Sequence, residues 1–422
     1  MRAPDKEKLR LILHLVFLIG TGLYAISLFR CAAQRMPLPS LPVAYACFNK
    51  RSYGRPSDRV FTYICRNMDT ELRKNRAVAI WLVIGAVMII IQVLLGGITR
   101  LTDSGLSITE WKPILGALPP MNEHDWNVAF EKYKQIAQYK YIHNHFTLGD
   151  FKFIYFWEWF HRNWGRFMGL VFIIPFAYFL YRGKITRSML WPMVTLFLLG
   201  GLTGALGWIM VKSGVGTDLV YVDHIKLAIH LMSAVLLFCF VVWFALQISY
   251  KPDGITSKPV KNFNILLIIL VSVQLIYGAF MAGTRAGKSA ITWPDINGSF
   301  FPALFSENNG SVWYNITSNL ITVQFIHRNL AYLILALIII FTIKLYNQQK
   351  SSRLYKLRNP PLAITLAQVV LGVITLVTYL NDDHRLLFGV LHQMFGLLTI
   401  ASLVVTLYFT GKKKNYTRSK VV

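Results

Sequence analysis

The stretch "QVLLGGITRLTDSGLSITEW", residues 92–111, returns without a gap as "QLIYGAFMAGTRAGKSAITW", residues 274–293. The two copies share Gln92/Gln274, Gly96/Gly278, Thr102/Thr284, Gly105/Gly287, Ser107/Ser289 and Trp111/Trp293, an offset of 182. Each copy is the end of an apolar run followed by a polar loop. Further along, "HRN" at 161–163 matches "HRN" at 327–329, "LGWI" at 206–209 matches "LGVI" at 371–374, and "IHLM" at 229–232 matches "LHQM" at 391–394. The offset falls from 182 to 162 along the chain, and the difference is absorbed mostly by the outer loops. Four matches in the same order predict two related four-helix units. Both units run in the same direction, so the repeat is parallel rather than inverted.

The runs around these motifs place the chain in a membrane. Only 15% of the 422 residues are charged and 55% are hydrophobic, where a soluble chain carries about 25% charge. Apolar runs close to the ~20 residues that cross a bilayer lie at 77–98, 163–181, 189–211, 227–248, 263–283, 322–343, 361–380 and 386–409, with a ninth at 11–29. They are too long for barrel strands, and helices satisfy their own backbone in lipid. The expected class is therefore an all-α polytopic membrane protein of two tandem four-helix bundles, plus a candidate extra N-terminal helix.

The net charge of +25 invites a nucleic-acid reading, but its placement argues against one. Basic clusters stand at 73–76, 181–187, 250–261, 344–358 and 411–420, at every second connection and both flanks. That is the positive-inside pattern. It puts both flanks of the helix block in the cytoplasm or matrix and leaves the loops at 99–160, 212–225, 284–320 and 381–385 outside. The expected layout is a leader at 1–67, a first bundle at 68–250, a linker at 251–262, a second bundle at 263–410 and a basic tail at 411–422. Cys31, Cys47 and Cys65 fall in the leader and Cys239 in a span, which supplies no disulfide framework and no thiol metal site.

Four of the ten histidines form two repeat-related pairs, His161 with His230 and His327 with His392. His161 and His327 are expected at the outer end of the second helix of each half, and His230 and His392 within the first turns of the fourth. The remaining histidines read as solvent or interface residues. Zinc needs four ligands close together. A di-iron carboxylate site needs Glu-x-x-His twice with two further Glu, and here Glu158-x-x-His161 faces Gln324-x-x-His327. Two histidines on facing helices suit six-coordinate haem. Arg162 and Arg328 are candidate partners for haem propionates, although arginine also snorkels to the interface without a ligand. Glu158 shares a helix face with His161. Its counterpart Gln324 keeps the shape without the charge, which points to chemistry in the first half alone; an interfacial Glu facing water is the plainer reading.

The segments "GGITRLTDSGLSITEWKPILGALPP", "FIYFWEWFHRNWGR", "GWIMVKSG", "QFIHRNLAY" and "GVLHQMFG" resemble the haem A synthases that make the cofactor of cytochrome oxidases. The resemblance covers residues 75–410, leaves out the leader, and points to the branch without a loop cysteine pair. It implies oxidation of the C8 methyl of haem O to a formyl group, by two hydroxylations and loss of water. It implies resident haem b at His327 and His392, substrate haem at His161 and His230, and Glu158 as the catalytic carboxylate. Thr203 departs from the glutamine usual there and present at the repeat position Gln368. The implied partners are haem O and membrane lipid, with a haem O synthase, an electron donor and a second copy of the chain as candidates, and no nucleic acid. The implied place is a bacterial inner membrane, with the mitochondrial inner membrane as the alternative. A di-haem b-type electron carrier and a transporter are the rival readings of the same duplicated bundle.

Overall fold

The computed structural model describes residues 56–111, 115–250, 257–303 and 311–411, with the side chains of 56–74 outside that set. The candidate span at 11–29 and nearly all of the tail lie outside the described residues. In chain order the helices are α1 (Pro56–Leu101), α2 (Glu123–Lys134), α3 (Leu148–Tyr181), α4 (Arg187–Lys212), α5 (His224–Ser249), α6 (Lys258–Thr284), α7 (Val312–Ser318), α8 (Leu320–Tyr346), α9 (Arg353–Lys356), α10 (Asn359–Val377) and α11 (Asp382–Phe409). Among the described residues, eight helices are long and apolar enough to cross a membrane: α1, α3, α4, α5, α6, α8, α10 with the short α9 leading into it, and α11. They coincide with the eight apolar runs, and the class is all-α and polytopic. The backbone of α1 is already helical at Pro56, so the expected boundary at residue 67 falls inside a helix.

In each half the first and fourth helices pack together, α1 on α5 and α6 on α11, and these four make the centre of the molecule. Across the middle, α5 meets α6, α1 meets α11 and α5 meets α11. First helix therefore touches fourth helix in both senses, the arrangement of a pseudo-two-fold axis along the membrane normal. Lipid tails are as apolar as leucine, so close packing and interhelical hydrogen bonds must supply the association. Val78, Leu82 and Ile89 of α1, Val235 and Phe238 of α5, Leu267 and Val271 of α6, and Ile400 and Leu403 of α11 form one buried core. Gln393 Nε2 donates to the Val93 carbonyl at 2.9 Å and Asn264 Nδ2 to that of Leu403 at 3.0 Å. Such bonds stitch α11 to both first helices.

The outer helices are not equivalent. In the C-terminal half α8 packs along α10, whereas in the N-terminal half α3 barely meets α4. The loop after α1 also differs from its counterpart. It carries α2 and a π-turn at Tyr139–His143, and with the first turns of α3 it buries Leu106, Phe130, Tyr133, Phe151 and Ile154 as a cap with its own core. Asn122 caps α2 and Thr147 with Asp150 forms a capping box on α3. α3 thus begins fifteen residues before the apolar run that marks it in the sequence, because its first turns pack in the cap rather than in lipid.

Candidate active site

All four paired histidines lie against a glycine of a neighbouring helix. A Cβ built on Gly96 would stand 3.1 Å from the His161 ring, and one on Gly278 3.6 Å from that of His327. On the third helices, Gly207 and Gly372 would bring a Cβ to 2.8 Å from His230 and 2.9 Å from His392. These glycines are repeat partners. At Gly96, Gly207 and Gly372 the missing side chain is what leaves room for the imidazole, whereas at Gly278 the contact would be an ordinary one.

The fourth-helix histidines share one further contact. His230 Nδ1 lies 3.1 Å from the Thr203 carbonyl oxygen, and His392 Nδ1 lies 2.9 Å from that of Gln368. A carbonyl only accepts, so Nδ1 carries the proton in both rings and the Nε2 lone pair is kept for a metal, the usual outer-shell arrangement of a ligating histidine. Thr203 departs from the glutamine of the other half, but the contact comes from the main chain and survives the change. The Gln368 side-chain amide sits 3.4 Å from His392 Nε2. In the C-terminal half, Gln274 of α6 donates through Nε2 to the His327 carbonyl of α8 at 3.0 Å and lies 3.1 Å from the ring Nδ1. In the N-terminal half, Gln92 Oε1 and His161 Nδ1 are both buried without a partner.

The donor set fits haem. His327 and His392 face each other with ring centres 6.3 Å apart. Two imidazoles bound to one metal from opposite sides through bonds of about 2 Å would have centres about 6 Å apart. Among the described residues no cluster of three or more His, Cys, Asp or Glu side chains could hold a bare metal ion. His327 stands in the third turn of α8, His230 in the second turn of α5 and His392 about three turns into α11, while His161 lies near the middle of the long α3.

Glu158 is 2% exposed, which overturns the water-facing alternative. Its Oε2 accepts from Ser107 Oγ at 2.7 Å and from the Ile108 amide at 2.8 Å, and its Oε1 accepts from Arg162 Nη2 at 2.6 Å. Arg162 also donates to the carbonyls of Ile108 at 3.2 Å and Glu110 at 3.5 Å. In the other half Gln324 donates to the Ala290 carbonyl at 2.7 Å, and Arg328 to those of Ala290 at 3.1 Å and Asp295 at 2.8 Å. Both guanidinium groups thus fold the loop after the first helix down onto the second helix, a role the sequence reading did not anticipate.

Between the halves, Asp103 pairs with Arg285 and also lies 3.4 Å from Arg100, while Arg100 donates to the Ala282 carbonyl. Tyr221 lies 3.9 Å under the Arg285 guanidinium. Above them, Tyr133 and His143 are buried in the cap, 2.6 Å apart, and Gln138 links them to the Asp103 carbonyl. His143 is therefore no solvent residue. Burial holds its imidazole down at about 4 and pushes the Tyr133 phenol up.

A family model described as cytochrome oxidase assembly protein matches residues 79–404. The chain belongs to that family. Its relatives are named haem A synthase: one from Beijerinckia indica is 43% identical over 341 residues, covering 79% of this chain and 93% of the relative. One from Flavobacterium psychrophilum is 39% identical over 81% of this chain and its own full length. One from Rhodospirillum centenum is 40% identical over 72% of this chain and 81% of its own. The family match spans both halves and all four paired histidines, whereas residues 56–78 of α1 precede it.

Proposed function

We propose that this integral membrane protein is an oxidoreductase that converts haem O to haem A, with substrate at His161 and His230 and resident haem b at His327 and His392. The observation that carries the assignment of the histidines is the matched pair of Nδ1–carbonyl bonds at His230 and His392. It prepares one imidazole in each half to ligate through Nε2. Bound haem b supplies one-electron redox chemistry. The protein's share is to hold the substrate ring beside a fixed carboxylate, and Glu158 supplies that carboxylate in the N-terminal half alone. The reading has the C8 methyl of haem O oxidised to a formyl group through two hydroxylations, each giving up an electron pair to an oxidant from outside the chain, and loss of water. A plain di-haem carrier would have no use for the difference between Glu158 and Gln324. The relatives named above are bacterial, which supports an inner-membrane location, with the haem sites toward the outer side.

The test is a haem extract. Protein purified from cells that also make haem O should yield haem A on chromatography and mass spectrometry. Haem b and unchanged haem O without haem A would refute the enzyme reading, and absence of any haem would favour the transporter.

A further inference from the structure

The acid of the N-terminal half is held from outside its own helix. Ser107 Oγ and the Ile108 amide converge on one oxygen of Glu158 from the loop that follows α1, about fifty residues away in sequence. We infer that Ser107 is a positioning residue for Glu158, so that the reacting site is assembled from two pieces, α3 and the loop Ser104–Trp111. This inference rests on reading Glu158 as the reacting carboxylate.

The repeat supplies the control. Ser289 occupies the same place in the other half, and its hydroxyl donates instead to the Ala286 carbonyl at 2.6 Å. The residue that offers its N–H to Glu158 in one half, Ile108, corresponds to Ala290, whose carbonyl accepts a hydrogen bond from Gln324 in the other. Where the acid is missing, the serine turns to the backbone and the loop folds without it. Ser107 Oγ also lies 3.5 Å from the Ile154 carbonyl, but its short contact, at 2.7 Å, is the one to the acid, which the loop of the other half does without.

Burial gives the contact its weight. Ser107 and Glu158 are each 2% exposed, so loop donors stand where water would otherwise solvate the carboxylate. A carboxylate offers about four acceptor sites, and Ser107, Ile108 and Arg162 take three of them. With both oxygens held, the group cannot swing, and the remaining site is presented in a fixed direction. Without Ser107, Oε2 would keep only the Ile108 amide, one donor where two now converge. The sequence repeat contained Ser107 among its shared positions, but only the folded loop shows what it touches.

The experiment uses full-length Ser107→Ala and Ser107→Thr proteins, expressed with a haem O source and purified in detergent. A hydrogen bond to a charged group predicts that haem A in the Ala protein falls about 10- to 100-fold. Bound haem O and the haem b spectrum should stay at wild-type levels, since the histidine sites are untouched. Threonine keeps the hydroxyl and should restore most of the product, which a merely structural loss would not do. Wild-type haem A in the Ala protein, or a loss of bound haem O that accounts for the missing product, would overturn the inference, as would a Thr protein no better than Ala. Glu158→Gln is run beside them. If it stays active, the assignment of Glu158 falls and this inference with it. If Glu158→Gln is inactive while Ser107→Ala is normal, only the role of Ser107 falls.

Discussion

On the proposed function, replacing Gly372 by alanine should empty the haem site proposed at His327 and His392 and leave the protein folded. The new methyl would stand 2.9 Å from His392 Cε1 and 3.3 Å from its Nδ1, closer than carbon atoms pack. Overpacking of this kind costs about 1–3 kcal/mol, and the change from glycine to alanine inside a helix returns about 1 kcal/mol. The net cost to folding is then about 2 kcal/mol or less. The cheapest relief is for the ring to swing away and give up its bond to the Gln368 carbonyl, which is worth about 1 kcal/mol. That movement carries Nε2 off the line facing His327. Gly278→Ala is the internal comparison, because there the methyl meets the His327 ring at 3.6 Å, an ordinary contact. Haem b per protein, read from the absorbance spectrum of each purified variant, should fall severely in Gly372→Ala and stay near wild type in Gly278→Ala. Thermal unfolding should place both variants close to the parent. Full haem in Gly372→Ala, or equal losses in the two, would refute the reasoning.

Two other expectations concern the loops that follow the first helix of each half. Asp103→Ala should lower stability by about 1–3 kcal/mol, because it leaves Arg100 and Arg285 together without the acid between them, and Arg285→Ala by less, because Asp103 keeps Arg100 at 3.4 Å. The double variant should cost less than the sum, so additive losses in thermal unfolding would show that the pair is uncoupled. In the cap, the depressed His143 means that the unfolded segment takes up a proton before the folded one does. Stability of the cap should therefore be full above about 6.5 and decline as pH falls toward about 4. Amide exchange at Tyr133–His143 should speed up over that window, and His143→Gln should flatten the trend; an unchanged profile in that variant would mean that another group is responsible.

The spans and the repeat were legible because lipid enforces long apolar runs, and because two copies of one pattern in one chain check each other. The histidine pairs were legible for the same reason. What the sequence could not display was anything set by a polar contact between distant segments. Glu158 and Gln324 could be seen to differ, but not that one accepts from Ser107 and Ile108 while the other donates to Ala290. The cap escaped notice because α2 packs in water-facing protein, where no apolar run is needed. His143 looked exposed between Lys140 and Asn144, and its partner Tyr133 lies ten positions earlier. The start of α3 was placed late because hydropathy marks where a helix enters lipid, not where it begins.

Asp103 and Arg285 are the same position in the two halves, 182 residues apart, and both adopt left-handed backbone, with φ of 57° and 59°. Each residue thus meets its own counterpart across the axis. In a symmetric pair of identical chains that position would face itself, and either charge would be set against its like. Joining the two copies into one polypeptide removes the constraint, since each copy can then mutate alone. The same freedom lets one half keep an acid beside its histidine and the other an amide. The ion pair on the axis and the proposed division of labour between the two halves are thus both things that a fused chain can have and a homodimer cannot.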